Sequence, residues 1–184
     1  NFSIKELKRF GIKTYFYKNN NSSFLSKLIS NKIKLIYIES PGSPNYEVED
    51  IEEIVKIAKK NKIITVMDNT WATFMGLNPL EWGIDVVIES CTKYFSGHSD
   101  NFCGVIACSN EHFKKIKQTA VRVGDFVSAE ACFNAIKGMR TLSTRLEKHQ
   151  ENSLKVFEYL ETKKIVKEIY FLPDKKNIYH KLWK

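Results

Sequence analysis

The chain has 184 residues, enough for one domain with a sizeable core or for one domain and part of another. Its residues are 43% hydrophobic and 27% charged, globular proportions that exclude a disordered or fibrous chain, and no apolar run nears the roughly 20 residues that cross a bilayer. The net charge of +8 comes mainly from lysines scattered among glutamates, as in "EDIEEIVKIAKKNK"; these are solvated helix faces, not the clustered basic stripe of a nucleic-acid binder. Cys91, Cys103, Cys108 and Cys132 form no CxxC pair. They read as small buried hydrophobes, without a zinc or redox role, in a reducing compartment. With no leader pattern either, the expected location is the cytoplasm. The chain opens at Asn1 and closes on "YHKLWK", which suggests an internal stretch of a longer protein.

In chain order, the first strand is predicted over Ile33 to Glu39, where a short β-branched run meets "SPGSPN", a cluster that forbids helix. A helix follows from Asp50, with Ile51, Ile54, Val55 and Ala58 on one face. "KIITVM" is the second strand, stopping at Asp68, and "DVVIE" the third, stopping at Ser90. "CGVIAC", from Cys103 to Cys108, is the fourth candidate. Apolar strands alternating with amphipathic helices predict an α/β domain with a mostly parallel sheet covered on both faces.

Beyond Glu111 the pattern is helical. One stripe holds Phe113, Ile116, Ala120 and Val121, and a second holds Ala129, Cys132, Phe133 and Ile136. A long helix is predicted from Thr141 to about Lys164, carrying Leu142, Leu146, Val156 and Leu160. "IVKEIYFLPDKK" then reads as a strand and turn opening a second, incomplete domain. The expected division is residues 1–140, part of a large domain, and 141–184, the connecting helix and the start of a small one.

Ligands of open parallel sheets bind beyond the carboxyl ends of the strands. Three predicted strands end there on Glu39-Ser40-Pro41-Gly42-Ser43, Asp68-Asn69 and Ser90-Cys91-Thr92-Lys93. Each residue also has an ordinary reading. Asp68 suits a turn, Lys93 a surface position, and Ser90 and Thr92 suit the satisfaction of backbone groups. His98 with Asp100 offers two metal ligands and no third, too few for a site. Taken together, an acid, a lysine and hydroxyls on one edge suit pyridoxal phosphate. That cofactor needs an amine for its carbonyl, an acid against its ring nitrogen and donors around its phosphate.

The stretches "IYIESPGSPNYEVEDI", "VMDNTWATFMGLNPLEWGIDVVIESCTKYFSGHSD" and "AIKGMRTLSTRLEKHQENSLKV" resemble the trans-sulfuration family of pyridoxal-phosphate enzymes, in order and spacing over nearly the whole chain. The resemblance implies the aspartate-aminotransferase type I fold. Within the family, "ESPGS" and "DNTW" look most like bacterial cystathionine β-lyase. Carried over residue by residue, it implies that Lys93 bonds the cofactor and later removes the substrate's Cα proton. Asp68 would pair with the ring nitrogen, Ser90 and Thr92 would bind the phosphate, and Ser43 would lie near the ring oxygen. The implied reaction is β-elimination of a cystathionine-like amino acid to homocysteine, pyruvate and ammonia, by a homo-oligomer with no membrane or nucleic-acid partner.

The resemblance also shows gaps. The family's ring-stacking aromatic, its glycine-rich phosphate loop and a Tyr and Arg given by a neighbouring subunit fall before Asn1, and its carboxylate-clamping arginine falls after Lys184. Arg140 occupies a domain-junction position and is not that clamp. These 184 residues alone are therefore expected to turn over little or no substrate. A truncated inactive remnant, and a γ-lyase or γ-synthase relative, are the alternatives that stay open.

Overall fold

The computed structural model describes residues 2–18 and 22–184. In chain order the elements are α1 (Phe2–Arg9), α2 (Ser22–Leu28), β1 (Leu35–Glu39), α3 (Ile51–Lys60), β2 (Ile64–Asp68) and the single turn α4 (Thr73–Gly76). There follow β3 (Val86–Ser90), β4 (Gly104–Cys108), α5 (Asn110–Val123), α6 (Ala129–Met139), α7 (Leu142–Glu161) and the short α8 (His180–Trp183). The sheet runs β1-β2-β3-β4. β1 and β2 are parallel, as are β2 and β3, while β4 returns antiparallel to β3. The sheet is therefore mostly parallel, as expected, and its antiparallel member follows β3 through residues 91–103, which turn back without forming a helix.

Helix α3 starts where the sequence predicts it. The Asp50 carboxylate accepts the Glu53 N–H at 3.0 Å, satisfying one of the free donors at the helix start. Its apolar stripe, Ile51, Ile54, Val55 and Ala58, packs with Ile36 and Ile38 of β1, Met67 of β2 and Val87 of β3. Register explains the match, because Ile38 lies opposite Met67 and Met67 opposite Val87, so alternation puts all three on the α3 face. Each large aliphatic in this cluster holds about 2–5 kcal/mol against truncation to alanine. A carboxylate fastens the other end of the β2–β3 seam. Asp85 accepts the Thr65 N–H and the Thr65 hydroxyl, both at 2.8 Å, and donates its own N–H to that hydroxyl at 3.0 Å.

Several expectations need correction. The sheet is not covered on both faces: Leu35 and Tyr37 on β1 and Val105 and Ile106 on β4 are largely exposed. The α5 stripe buries nothing, with Phe113 and Val121 more than half exposed. On α6, Phe133 and Ile136 face outward, and the helix packs instead through Ala135 and Gly138. Among the cysteines only Cys91 is buried, and Cys132 is exposed. α7 buries Leu142 while Val156 is exposed. Residues 165–176 form no strand. They pass through turns that bury Leu172 and stack Phe171 on Phe157 of α7, ring centroids 4.7 Å apart. No helix among the described residues is long and apolar enough to cross a membrane.

Candidate active site

The carboxyl ends of β1, β2 and β3 lie level, and the turns that follow them are tied together. Glu39 is in register with Asp68, and Asp68 with Ile88. The Asn69 N–H donates to Ile88 O at 2.9 Å, and the Ser90 N–H to Thr70 Oγ1 at 2.8 Å. Asp68 accepts the Thr70 N–H at 2.9 Å, the turn role its sequence context suggests, and keeps its other oxygen for further partners. Alternation sets Tyr37, Glu39, Asp68 and Ser90 on the face opposite α3.

The charge of Asp68 governs this edge. Burial, then Asp68 and Glu39, push the Tyr37 phenol up to about 12. Burial and then Asp68 raise the Glu39 carboxyl, against a hydrogen bond from the Ser43 N–H that lowers it. Burial disfavours charge of either sign, but the part of these shifts that comes from the Asp68 and Glu39 carboxylates marks a negative field that attracts a positive charge. A protonated ring nitrogen is such a charge.

Lys93 lies three residues past β3, in a tight turn where its N–H donates to Ser90 O at 3.0 Å and the Gly97 N–H reaches Lys93 O at 2.8 Å. Its side chain is exposed and makes no ion pair among the described residues. The strand-end lysine of the sequence reading is thus a turn lysine with its amine at liberty. Its neighbours hold it firmly. Cys91 and Phe95 are buried against Ala135 of α6 and Leu142 of α7. The Phe95 ring meets Phe74 of α4 edge to face at 5.7 Å. Asn101 donates to Ser96 Oγ at 2.8 Å and Ala131 O at 2.9 Å.

The remaining predicted residues divide. Ser90 carries its hydroxyl on the open face beside Asp68, and no protein group bonds that hydroxyl among the described residues. The Thr92 hydroxyl is engaged with the returning chain, donating to Cys103 O at 3.3 Å and accepting the Cys103 N–H at 3.2 Å. Ser43 is exposed in the loop after β1, in a chain bent by cis Ser40–Pro41 and Ser43–Pro44 bonds. The loops after β1 and β2 meet where Tyr46 and Trp71 pack edge to face at 6.4 Å. His98 donates from Nδ1 to Ser96 O at 2.7 Å, and no group of three metal-ligating side chains occurs among the described residues. An acid that favours positive charge at the end of β2, an open hydroxyl at the end of β3 and a free amine in the turn after it fit a phosphorylated pyridine aldehyde.

Sequence reasoning passed over Asn69 and Glu89. Asn69 Nδ2 donates to Glu89 Oε1 at 3.1 Å and to Leu77 O at 3.0 Å, bracing the turn that holds Asp68. The available signal was a carboxylate two residues after Val87 in an apolar strand, where alternation turns it into the core.

Comparison with known proteins gives one family over the whole chain: the model for the Cys/Met metabolism PLP-dependent enzymes matches residues 1–184. The L-alanine/L-glutamate racemase of Wolbachia pipientis wMel is 37% identical over 183 residues, covering 100% of this chain and 45% of that protein. Cystathionine beta-lyase MetC of Escherichia coli K12 is 34% identical over 187 residues, covering 100% of this chain and 47% of the relative. Among solved structures, cystathionine gamma-lyase from Lactobacillus plantarum, complexed with L-serine, superposes with a TM-score of 0.95 at 28% identity over 99% of this chain and 48% of its own. The chain thus spans under half the length of these relatives.

Proposed function

Because the chain belongs to the Cys/Met metabolism PLP-dependent enzyme family, we propose that it is the central part of a carbon–sulfur lyase of the cystathionine β-lyase type, cleaving a cystathionine-like amino acid to homocysteine, pyruvate and ammonia. The observation that carries the reading is the Asp68 carboxylate at the end of β2 together with the free Lys93 amine in the turn that follows the adjacent parallel strand β3. Pyridoxal phosphate, when bound, supplies an electron sink for the pair left on Cα when its proton departs. Lys93 Nζ would hold the cofactor and would serve as the base for the Cα proton. Asp68 would face the ring nitrogen and keep it protonated, its negative field being the one felt by Tyr37 and Glu39. Ser90 would offer its open hydroxyl to the phosphate, Thr92 would join it by turning from Cys103 O, and Ser43 would serve the ring oxygen.

On this reading residues 1–140 belong to the cofactor domain and 141–184 lead into a smaller one, the whole protein being a homo-oligomer. The 184 residues alone turn over little substrate, since they span under half of each relative. The test is the visible absorption of the chain mixed with pyridoxal phosphate, beside Lys93→Ala. A band that survives dialysis in the wild type and is lost in the variant supports the site; equal, dialysable bands overturn it. Pyruvate release from cystathionine by the longer protein separates β- from γ-elimination.

A further inference from the structure

Glu89 and Asn69 are almost wholly buried, at 6% and 1% exposure. The Asn69 amide spends both N–H groups, one on Glu89 Oε1 at 3.1 Å and one on Leu77 O at 3.0 Å. Its orientation follows from Leu77, because exchanging the amide oxygen and nitrogen would set oxygen against a carbonyl. Two oxygens are then left over. Asn69 Oδ1 and Glu89 Oε2 are the buried side-chain polar atoms without a partner among the described residues. A carboxylate cannot relieve this, since both atoms only accept. A carboxylic acid can, because one proton on Oε2 supplies the donor that both lack. We propose that Glu89 is protonated in the folded protein and donates from Oε2 to Asn69 Oδ1, closing a two-bond acid–amide ring that positions Asp68.

Burial favours the neutral acid, since an ionised carboxylate with a single hydrogen bond is costly inside a protein. Burial raises the Glu89 carboxyl, the Asn69 N–H bond lowers it, and the charge of Asp68 raises it again. The titratable groups whose charge reaches Glu89 are Asp68, from the end of β2 across the sheet, and Cys91, from the turn after β3, whose own thiol is pushed up to about 12 by burial, Cys103 and Glu89. Neither offers a positive charge. The ring reaches Asp68 through the backbone. Asn69 donates its N–H to Ile88 O at 2.9 Å and accepts the Thr73 N–H at its carbonyl at 2.8 Å, so the residue that follows Asp68 is held on both sides. Neutral Glu89 also leaves Asp68 as the charge that faces the ring nitrogen. That last consequence rests on the cofactor reading above; the protonation does not.

Infrared difference spectra of the whole chain, wild type minus Glu89→Gln, test the proton without any cofactor. The expected result is a protonated-carboxyl carbonyl band at neutral pH that is lost in Glu89→Gln. Carbon-13 NMR of the glutamate side chains reads the same proton in the unsubstituted protein, so a poorly folding variant does not block the test. The Tyr37 phenol, raised in part by the Asp68 carboxylate beside it, reports positioning. Glu89→Gln, whose amide can rebuild the ring, leaves the Tyr37 titration at about 12, and Glu89→Ala lowers it. With the folded value raised above the ordinary 4.5, Glu89 stabilises the fold fully below pH 4.5, and that contribution fades as pH rises through the folded value. Glu89→Gln removes this slope. A fully ionised Glu89 at neutral pH, or identical pH slopes in wild type and Glu89→Gln, overturns the proposal. If Lys93→Ala leaves the cofactor band unchanged while the carboxyl band is present, the cofactor reading fails and the acid–amide ring stands.

Discussion

Replacing Gly138 by alanine strikes the contact that anchors the lysine turn. A methyl there would lie 2.1 Å from Phe95 O, 2.4 Å from Ser96 O and 2.8 Å from Ser96 C. Ordinary non-bonded contacts sit at about 3.5 Å, so α6 must withdraw by roughly 1 Å or more. The obstructing atoms are backbone and cannot rotate aside, which sets overpacking at its upper figure of about 3 kcal/mol. Withdrawal also strains the bonds from Arg145 Nη2 to Gly138 O at 2.8 Å and from Asn101 to Ala131 O at 2.9 Å, worth about 1 kcal/mol each. Against this stands the better helix propensity of alanine, about 1 kcal/mol. Gly138→Ala should therefore cost about 3 kcal/mol or somewhat more. Urea unfolding followed by circular dichroism would show it as a midpoint lowered by about 1.5 M, at a slope of about 2 kcal/mol per molar. A midpoint unchanged within about 0.3 M would refute the claim that α6 seats the Lys93 turn by backbone contact.

The far end of the β2–β3 seam should be nearly as sensitive. Asp85→Ala removes Oδ2, the one oxygen that accepts both the Thr65 N–H and the Thr65 hydroxyl, a loss of about 1–3 kcal/mol in the same urea assay. Spectrophotometric titration, with Tyr37→Phe subtracted, should place the Tyr37 phenol near 12, and Asp68→Asn should bring it down by removing the charge and acceptor beside it. The phenol, being raised, favours the folded state until pH climbs through 10 toward 12. Its partial exposure keeps that contribution small.

Much of the site was legible because its residues stand where local chemistry ends a strand. Asp68 and the Ser40–Pro41 step stop β2 and β1 as read, and Asp50 caps α3 with its carboxylate. What was not legible depends on partners distant in sequence. The period of Phe133 and Ile136 announces an apolar face of α6, but the close approach of Gly138 to Phe95 O turns that helix the other way. Nothing within "IVKEIY" says that Leu172 and Phe171 will pack against other parts of the chain in preference to forming a strand. Glu89 was hidden by its type, since a strand-end acid reads as polar punctuation until its burial beside Asn69 is seen. Thr92 was assigned to a phosphate, while its hydroxyl is shared with Cys103.

The three side-chain links between β2 and β3 share one arithmetic. Thr65 with Asp85, Asn69 with Glu89 and Thr70 with Ser90 are each 20 residues apart. A single loop therefore closes all of them, and its entropic cost, about 2.7 kcal/mol plus a constant, is incurred once. The first link to form brings the others within reach, so the seam should zip in one cooperative event that places Asp68 and Ser90 together. The lysine turn is a separate step, completed only when α6 and α7 close on Cys91 and Phe95.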